Sequence, residues 1–262
     1  MVDQRDGKRA DQAIDQVAAG VYRLADEMVN VYLVEEGTQI TVIDSGLPGL
    51  YPRFVGALAQ IGRRMADISA VLITHGHPDH IGLAERIRVE ADATVWVHEA
   101  DAPLIDDPTH IRQHWRAERS LVPYILRRPA TLRTPFHMAR HGGFRPPAVR
   151  QRTIFQDGQL LDVPGGPRAV LTPGHTAGST AFLLPDSGIL FTGDALVTRD
   201  DITGETGPRI VARAFTQDST AALRSLETLA RLPADIVLPG HGHSFTGGVG
   251  AAADEAMKVG VS

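Results

Sequence analysis

A chain of 262 residues, 43% hydrophobic and 22% charged, carries enough apolar material for a large buried core in one or two domains. Its formal net charge of −5 excludes an overall basic field drawing it to nucleic acid or an anionic membrane, and no apolar run approaches the eighteen or so residues of a membrane-spanning helix. Cysteine is absent, which excludes disulfides, a thiolate nucleophile and thiolate metal ligands, and fits a cytoplasmic protein.

Residues 1–16 are polar and charged, with no apolar centre to act as a secretion signal, and read as a flexible tail. Short β-rich runs predict strands at 21–24, 30–35 and 40–44, each bounded by Gly, Asp or Glu-Gly. Residues 50–68 place Phe54, Leu58, Ile61 and Met65 at helical spacing and predict an amphipathic helix. A strand at 70–73 leads into a helix over about 78–91, whose first turn suits Pro78, with no N–H to lose, and Asp79, whose carboxylate complements the positive helix end. A strand at 94–97 follows, then an insertion, 98–152, in which 111–126 predicts a helix.

Strands return at 169–172, in a hairpin at 180–184 and 188–192, and at 236–238, with helices at about 218–232 and 251–259. Leu223, Leu226, Leu229 and Ala230 make the apolar stripe of the first of these helices. Two similar β-rich halves imply two sheets packed face to face with helices outside. The expected class is α/β (α+β): a four-layer αββα sandwich forming one domain over 1–262, with the helical insertion.

The chemistry-bearing segment is Thr74-His75-Gly76-His77-Pro78-Asp79-His80, which directly follows the apolar run Ala70-Val71-Leu72-Ile73. Three imidazoles and a carboxylate at the mouth of a buried strand suit zinc and its first-row neighbours, whereas magnesium and calcium ask for oxygen alone. His175, Asp194 and His241 each end another apolar strand beside glycine, where the missing Cβ permits close approach to an ion. Singly, a His after Pro-Gly is an ordinary turn residue. Jointly the three complete the set that the first motif leaves open.

With these residues in place, the chain over about 21–244 resembles the metallo-β-lactamase-fold hydrolases, the superfamily of glyoxalase II, the acyl-homoserine lactonases and the zinc β-lactamases. The resemblance implies that His75, His77 and His175 hold one metal and that Asp79, His80 and His241 hold a second. It implies a bridging role for Asp194, in Phe191-Thr192-Gly193-Asp194, and outer support of a ligand by Asp44, which also reads as a turn or N-cap aspartate. Two zinc ions, with Mn2+ or Fe2+ as alternatives, would lie about 3.5 Å apart and share a hydroxide that attacks a carbonyl. The expected reaction is cleavage of a small ester, thioester or lactone, with Asp79 orienting the nucleophile and moving its proton.

Departures from particular branches narrow the choice. A cysteine-ligand β-lactamase is excluded, and the all-histidine type usually lacks the bridging aspartate. The glutathione-gripping helical domain of glyoxalase II has no room in the 21 residues after His241. The lactonases place a tyrosine three residues after the bridging aspartate, where Val197 stands here. Phe191 to Leu196 also resembles the mononuclear-iron persulfide dioxygenases, but their Gly-Cys-Gly-Arg segment is replaced by Thr198-Arg199-Asp200-Asp201. That oxidoreductase, a zinc β-lactamase and a phosphodiesterase or nuclease are the alternatives.

Within the insertion, ten arginines from Arg112 to Arg152 face one acid, Glu118. This reads as a solvated face, a homodimer contact, or a cap over the metals in which Trp115 and Arg116 touch a small-molecule substrate. His243 is a further candidate for substrate contact. A nucleic-acid role ranks lower because no aromatic-basic interleaving accompanies the arginines. His110 with His114, and His137 with His141, are spaced i, i+4 without a companion carboxylate and read as surface or packing residues; His98 reads as structural.

Overall fold

Short apolar strands, buried on both faces, build two sheets with a shared buried interface. The computed structural model describes residues 14–262. The larger sheet runs in chain order: β1 (Asp15–Ala18), β2 (Val21–Ala25), β3 (Asn30–Glu36), β4 (Gln39–Ile43), β5 (Ile68–Leu72), β6 (Thr94–His98) and β7 (Thr153–Phe155). It is antiparallel from β1 to β4 and parallel from β4 to β7. The second sheet contains β8 (Arg168–Leu171), β9 (Thr180–Leu184) and β10 (Ile189–Gly193). A ribbon of β11 (Val197–Arg199) and β12 (Thr206–Arg209) follows, and β13 (Ile236–Pro239) closes the second sheet in the order β13-β10-β9-β8.

The helices are α1 (Tyr51–Gln60), α2 (Pro78–Ile81) and α3 (Ala84–Ala91), then α4 (Ala102–Asp106), α5 (Ile111–His114), α6 (Val122–Arg127) and α7 (Arg133–Arg140) between β6 and β7, and finally α8 (Ser219–Leu229) and α9 (Val249–Val259). Successive strand residues point to opposite faces, and the core divides accordingly. On β3, Val31 and Leu33 pack with Phe54 and Leu58 of α1 and Ile87 of α3. Tyr32 and Val34 instead meet Phe182, Leu184 and Phe191 of the second sheet. On β9, Ala181 and Leu183 pack with Leu226 and Leu229 of α8 and Ala252 of α9. Helix, sheet, sheet and helix follow in order, the four-layer αββα sandwich expected from the sequence. Among the described residues, no helix is long and apolar enough to cross a membrane.

Several expected elements are shorter than their patterns. The first thirteen residues of the expected tail lie outside the described residues, and Asp15 and Gln16 belong to β1. The helix expected over 50–68 ends at Gln60, where the Arg63 N–H turns back to the Leu58 carbonyl (2.8 Å); Met65 falls in a separate turn before β5. The helix expected over 78–91 is broken because the Gly82 N–H bonds the Gly46 carbonyl (2.7 Å) instead of continuing the helical ladder. The 111–126 helix is two short pieces. Between them Trp115 is extended, and the N–H groups of Glu118 and Arg119 bond the carbonyls of Thr216 and Arg213 (2.9 and 3.1 Å). The Glu118 carboxylate accepts from Ser219 N–H and Oγ at the start of α8, both at 2.7 Å, so tertiary docking outcompetes the helical pattern here.

Candidate metal centre

Thr74, one residue past the apolar Ile73, starts the site. Its N–H and hydroxyl both bond the Asp44 carboxylate at the end of β4 (each 2.8 Å). The chain then leaves the sheet as His75-Gly76-His77, and Pro78 opens α2. His175 arrives from the loop after β8. Its Nε2 lies 3.1 Å from Nε2 of His75 and 2.8 Å from Nδ1 of His77. One proton on His175 cannot serve two lone pairs, whereas a cation between the three nitrogens satisfies all of them.

Asp79 and His80, in the first turn of α2, form a second group with His241 after β13. Nε2 of His80 is 3.7 Å from Oδ2 of Asp79 and 3.6 Å from Oδ1 of Asp194. Nε2 of His241 is 3.6 Å from Oδ2 of Asp79 and 3.1 Å from Oδ2 of Asp194. The same Asp194 oxygen lies 3.4 Å from Nε2 of His175 and 3.9 Å from Nε2 of His75, so this carboxylate stands between the two groups. Ligand atoms bonded to one tetrahedral ion at about 2.0–2.1 Å are about 3.3–3.4 Å apart. The 3.6–3.7 Å spacings are too long for hydrogen bonds and close to this value, whereas the 2.8–3.1 Å contacts of His175 and His241 fit either arrangement.

Outer contacts orient the rings. The Thr74 hydroxyl, donating to Asp44, has a lone pair left for the N–H at Nδ1 of His75 (3.0 Å). Nδ1 of His80 meets Oδ2 of Asp44 (2.8 Å), and Nδ1 of His241 donates to the Met28 carbonyl (2.6 Å). In these three rings Nδ1 is engaged outward and Nε2 is turned inward, where it can ligate a metal once any proton on it is released. Asp44 sits at φ 56°, a left-handed conformation that costs a side chain roughly 1–2 kcal/mol. Two glycines admit the centre. A Cβ on Gly240 would lie 2.3 Å from Oδ1 of Asp194, and Gly193, at φ 49°, would place one 2.5 Å from Oγ1 of Thr74.

Electrostatics sort the ligand set before any cation enters. Burial depresses the basicity of His75 and His175, aided by neighbouring imidazoles, and takes His77 down to about 4. Burial also opposes charge on His80, but the carboxylates of Asp44, Asp194 and Asp79 outweigh it and push His80 up to about 9. His241 is likewise raised against burial by Asp194 and Asp79. Burial would raise Asp194, yet His241 and His80 hold it well below the usual carboxylate range. Nε2 of His80 and Oδ1 of Asp194 are buried without a hydrogen-bond partner among the described residues, an expensive state that a cation between them relieves. Nitrogen and carboxylate donors without sulfur fit a divalent first-row ion.

This geometry coincides with a sequence-level match. The family model for the metallo-beta-lactamase superfamily matches residues 24–241. The chain belongs to that superfamily. Its members are mostly hydrolases and bind divalent metal ions, often zinc. The chain is similar to the Bacillus subtilis protein YobT, 33% identical over 82% of this chain and 83% of that one. It is also similar to the probable metallo-hydrolase YflN of the same organism, 26% identical over 88% of this chain and 87% of that one. Among solved structures, a metallo-beta-lactamase family protein from Thermus thermophilus superposes with a TM-score of 0.65 at 26% identity, covering 92% of this chain and 79% of that chain.

A cavity of about 850 Å³ opens over the candidate metal centre, with His77, Asp79, His175, Asp194 and His241 at its base. Trp115 and Arg116 line it; the indole N–H of Trp115 donates to the His175 carbonyl (3.0 Å), and its ring packs edge-on against His77 (4.6 Å). His243 lies apart, exposed, with its carbonyl accepting from Thr198 (2.6 Å). Of the other histidines, His137 is buried and bonds Asp26 (3.0 Å), and stacks on His141 (4.3 Å). His110 pairs with Asp107 on the surface, and His98 accepts from the Ala100 N–H.

Sequence reading missed Thr74, the Met28 carbonyl and, above all, Asp101. That carboxylate, 1% exposed, accepts from the N–H of Gly76 (2.8 Å), the N–H of Gly178 (2.7 Å) and the Thr176 hydroxyl (2.7 Å). It ties the His75-Gly76-His77 loop to the His175 loop. A lone Asp after a short strand carries no motif that would reveal it.

Proposed function

We propose that this chain is a hydrolase using two divalent ions, zinc in the first instance, to cleave a small ester, thioester or lactone. One observation carries the reading: Oδ2 of Asp194 lies 3.4 Å from Nε2 of His175 and 3.1 Å from Nε2 of His241, so a single carboxylate serves both ligand groups. His75, His77 and His175 would hold one ion, and Asp79, His80 and His241 the other. When bound, such a pair supplies Lewis acidity and acidifies water near neutral pH.

The chain's own groups do the rest. Asp44 and the Met28 carbonyl hold the inward tautomers of His80 and His241. Asp79, the most open of the carboxylates at the centre (21% side-chain exposure against 5% for Asp194), accepts the proton of the attacking water and passes it to the leaving oxygen or sulfur. Trp115 covers His77 and narrows the approach to the centre. A one-iron oxidoreductase would leave the Asp79, His80 and His241 group idle, which favours hydrolysis. Metal analysis of protein purified without chelators, coupled to a panel of lactones, thioesters and β-lactams, tests the reading. Two zinc per chain with turnover of one acyl class is the expected result. One iron per chain with oxygen consumption would overturn it.

A further inference from the structure

The charges around the cavity do not balance. Apart from the metal-centre carboxylates, its acids are Glu118, Asp200 and Asp201, and each is already engaged. Glu118 binds Ser219 and Arg213 (2.7 Å each). Asp200 accepts the N–H groups of Ile202 (2.8 Å) and Ala212 (2.9 Å). Asp201 pairs with Arg199 (2.9 Å), which also donates to the Glu27 carbonyl. Three further arginines line the cavity, Arg112, Arg116 and Arg119, and none has a side-chain hydrogen bond or ion pair among the described residues. All three are exposed. They flank Trp115, which is fixed to the centre through His175, so their Cα atoms lie within about 14 Å of the Trp115 Cα (at most four residues at about 3.6 Å each).

The remaining wall is apolar. Ile111, Leu121, Met138, Phe144, Val211 and Phe215 contribute to it, and the volume of about 850 Å³ suits a ligand of several hundred daltons. Guanidinium forks match carboxylate and phosphate geometry.

We infer that the cavity selects an anionic amphiphile: an acyl compound whose reacting carbonyl sits at the metal centre, whose chain lies on the apolar wall, and whose carboxylate or phosphate end is held by Arg112, Arg116 and Arg119. The inference rests on the hydrolase reading for the reacting end only. The preference for an anion with an apolar chain belongs to the cavity and holds whether or not a given substrate turns over.

Binding to the zinc-loaded full chain is measured by calorimetry with octanoate, octyl phosphate and neutral octanamide, on the wild type, on the combined R112Q/R116Q/R119Q variant and on Arg116→Glu. The wild type is expected to bind at least one anion about tenfold or more tightly than the amide, the scale of one charge-assisted contact. In the triple variant that ratio falls to within about twofold, and Arg116→Glu lowers it below the wild-type ratio. Whether carboxylate or phosphate binds tighter identifies the headgroup, and either ordering supports the inference. A ratio that is unchanged in the triple variant places the anion on the metals and overturns it, as does equal binding of the amide by the wild type. Because binding is the readout, failure of every acyl substrate to turn over would count against the hydrolase reading and leave this result standing.

Discussion

The Asp101 carboxylate accepts the N–H of Gly76 at 2.8 Å, and Gly76 is the residue between His75 and His77. With its other contacts to Thr176 and Gly178, Asp101 spans two loops a hundred residues apart in sequence, using a third element to set their separation. Asp101→Ala leaves the buried N–H groups of Gly76 and Gly178 without a partner, at about 1–3 kcal/mol each, while the Thr176 hydroxyl can still bond Ser179 Oγ (2.8 Å). A stability loss of about 2 kcal/mol or more is expected in chemical denaturation of the metal-free protein. Because both loops end in ligands, zinc affinity in a chelator competition should also fall about 10–100-fold. Asp101→Asn, which keeps one acceptor oxygen, should recover part of both. A variant that is destabilised yet binds zinc at full affinity would reduce Asp101 to a purely structural residue.

The divide between what was legible and what was not follows interaction range. Strand cores such as Val31 to Val34 and Ile189 to Phe191 announce themselves as short continuous apolar runs, so the two sheets and their flanking helices were readable. His75, His77, Asp79 and His80 were readable because one short loop supplies them. His175, Asp194 and His241 were readable only as a set, each being ordinary in its own turn. The insertion misled because Ile111 to Leu126 has helical composition, while Trp115 and Glu118 are held by His175, Ser219 and Arg213 from distant segments. Asp101 is held mainly by the backbone N–H groups of Gly76 and Gly178, and Met28 acts through its own carbonyl; backbone groups leave no mark in a sequence.

Gly240 offers a test of the close approach at the centre. An added Cβ would stand 2.3 Å from Oδ1 of Asp194 and 2.9 Å from Cε1 of His80, neither of which is the loose end of a flexible chain. Gly240→Ala should displace Asp194 from its position between the two groups. Displacement of about 1 Å costs on the order of 100-fold in turnover. Bound zinc, counted by atomic emission after gel filtration, is expected to drop below two per chain. Full occupancy together with wild-type turnover would contradict the close packing described here.

Proton competition gives metal binding a definite sign with pH. In the metal-free protein His80 holds its proton up to about 9 and His241 is raised as well, so both must release protons to ligate. Apparent zinc affinity should therefore climb from pH 6.5 towards pH 9, by about tenfold per unit for each proton displaced. Stability of the metal-free protein should move the other way: the contribution of these raised histidines is complete below the unfolded value of 6.5 and is lost as pH rises through about 9. His75, His77 and His175 are depressed, so their contribution is present above 6.5 and is lost as pH falls, towards about 4 for His77. A stability maximum near pH 6.5 without metal, measured by urea denaturation across the range, is the expected outcome. Zinc affinity that is flat across pH 6.5–9 would show that the two raised histidines do not ligate.

Asp79 is assigned two duties, ligation beside His80 and His241 and movement of the nucleophile's proton, and Asp79→Asn separates them. The amide keeps an oxygen near the position of Oδ2, 3.6–3.7 Å from the two Nε2 atoms, so saturating zinc should still give two ions per chain. An amide cannot accept and return a proton at neutral pH. Turnover should then fall by about 100- to 10,000-fold, the usual worth of a positioned general base, while KM changes little. Metal content and kinetics must come from the same sample, because loss of the second ion would lower turnover for a different reason. Full turnover with both ions in place would transfer the proton to another group, and Asp194, buried and held ionised by His241 and His80, would be the next carboxylate to test.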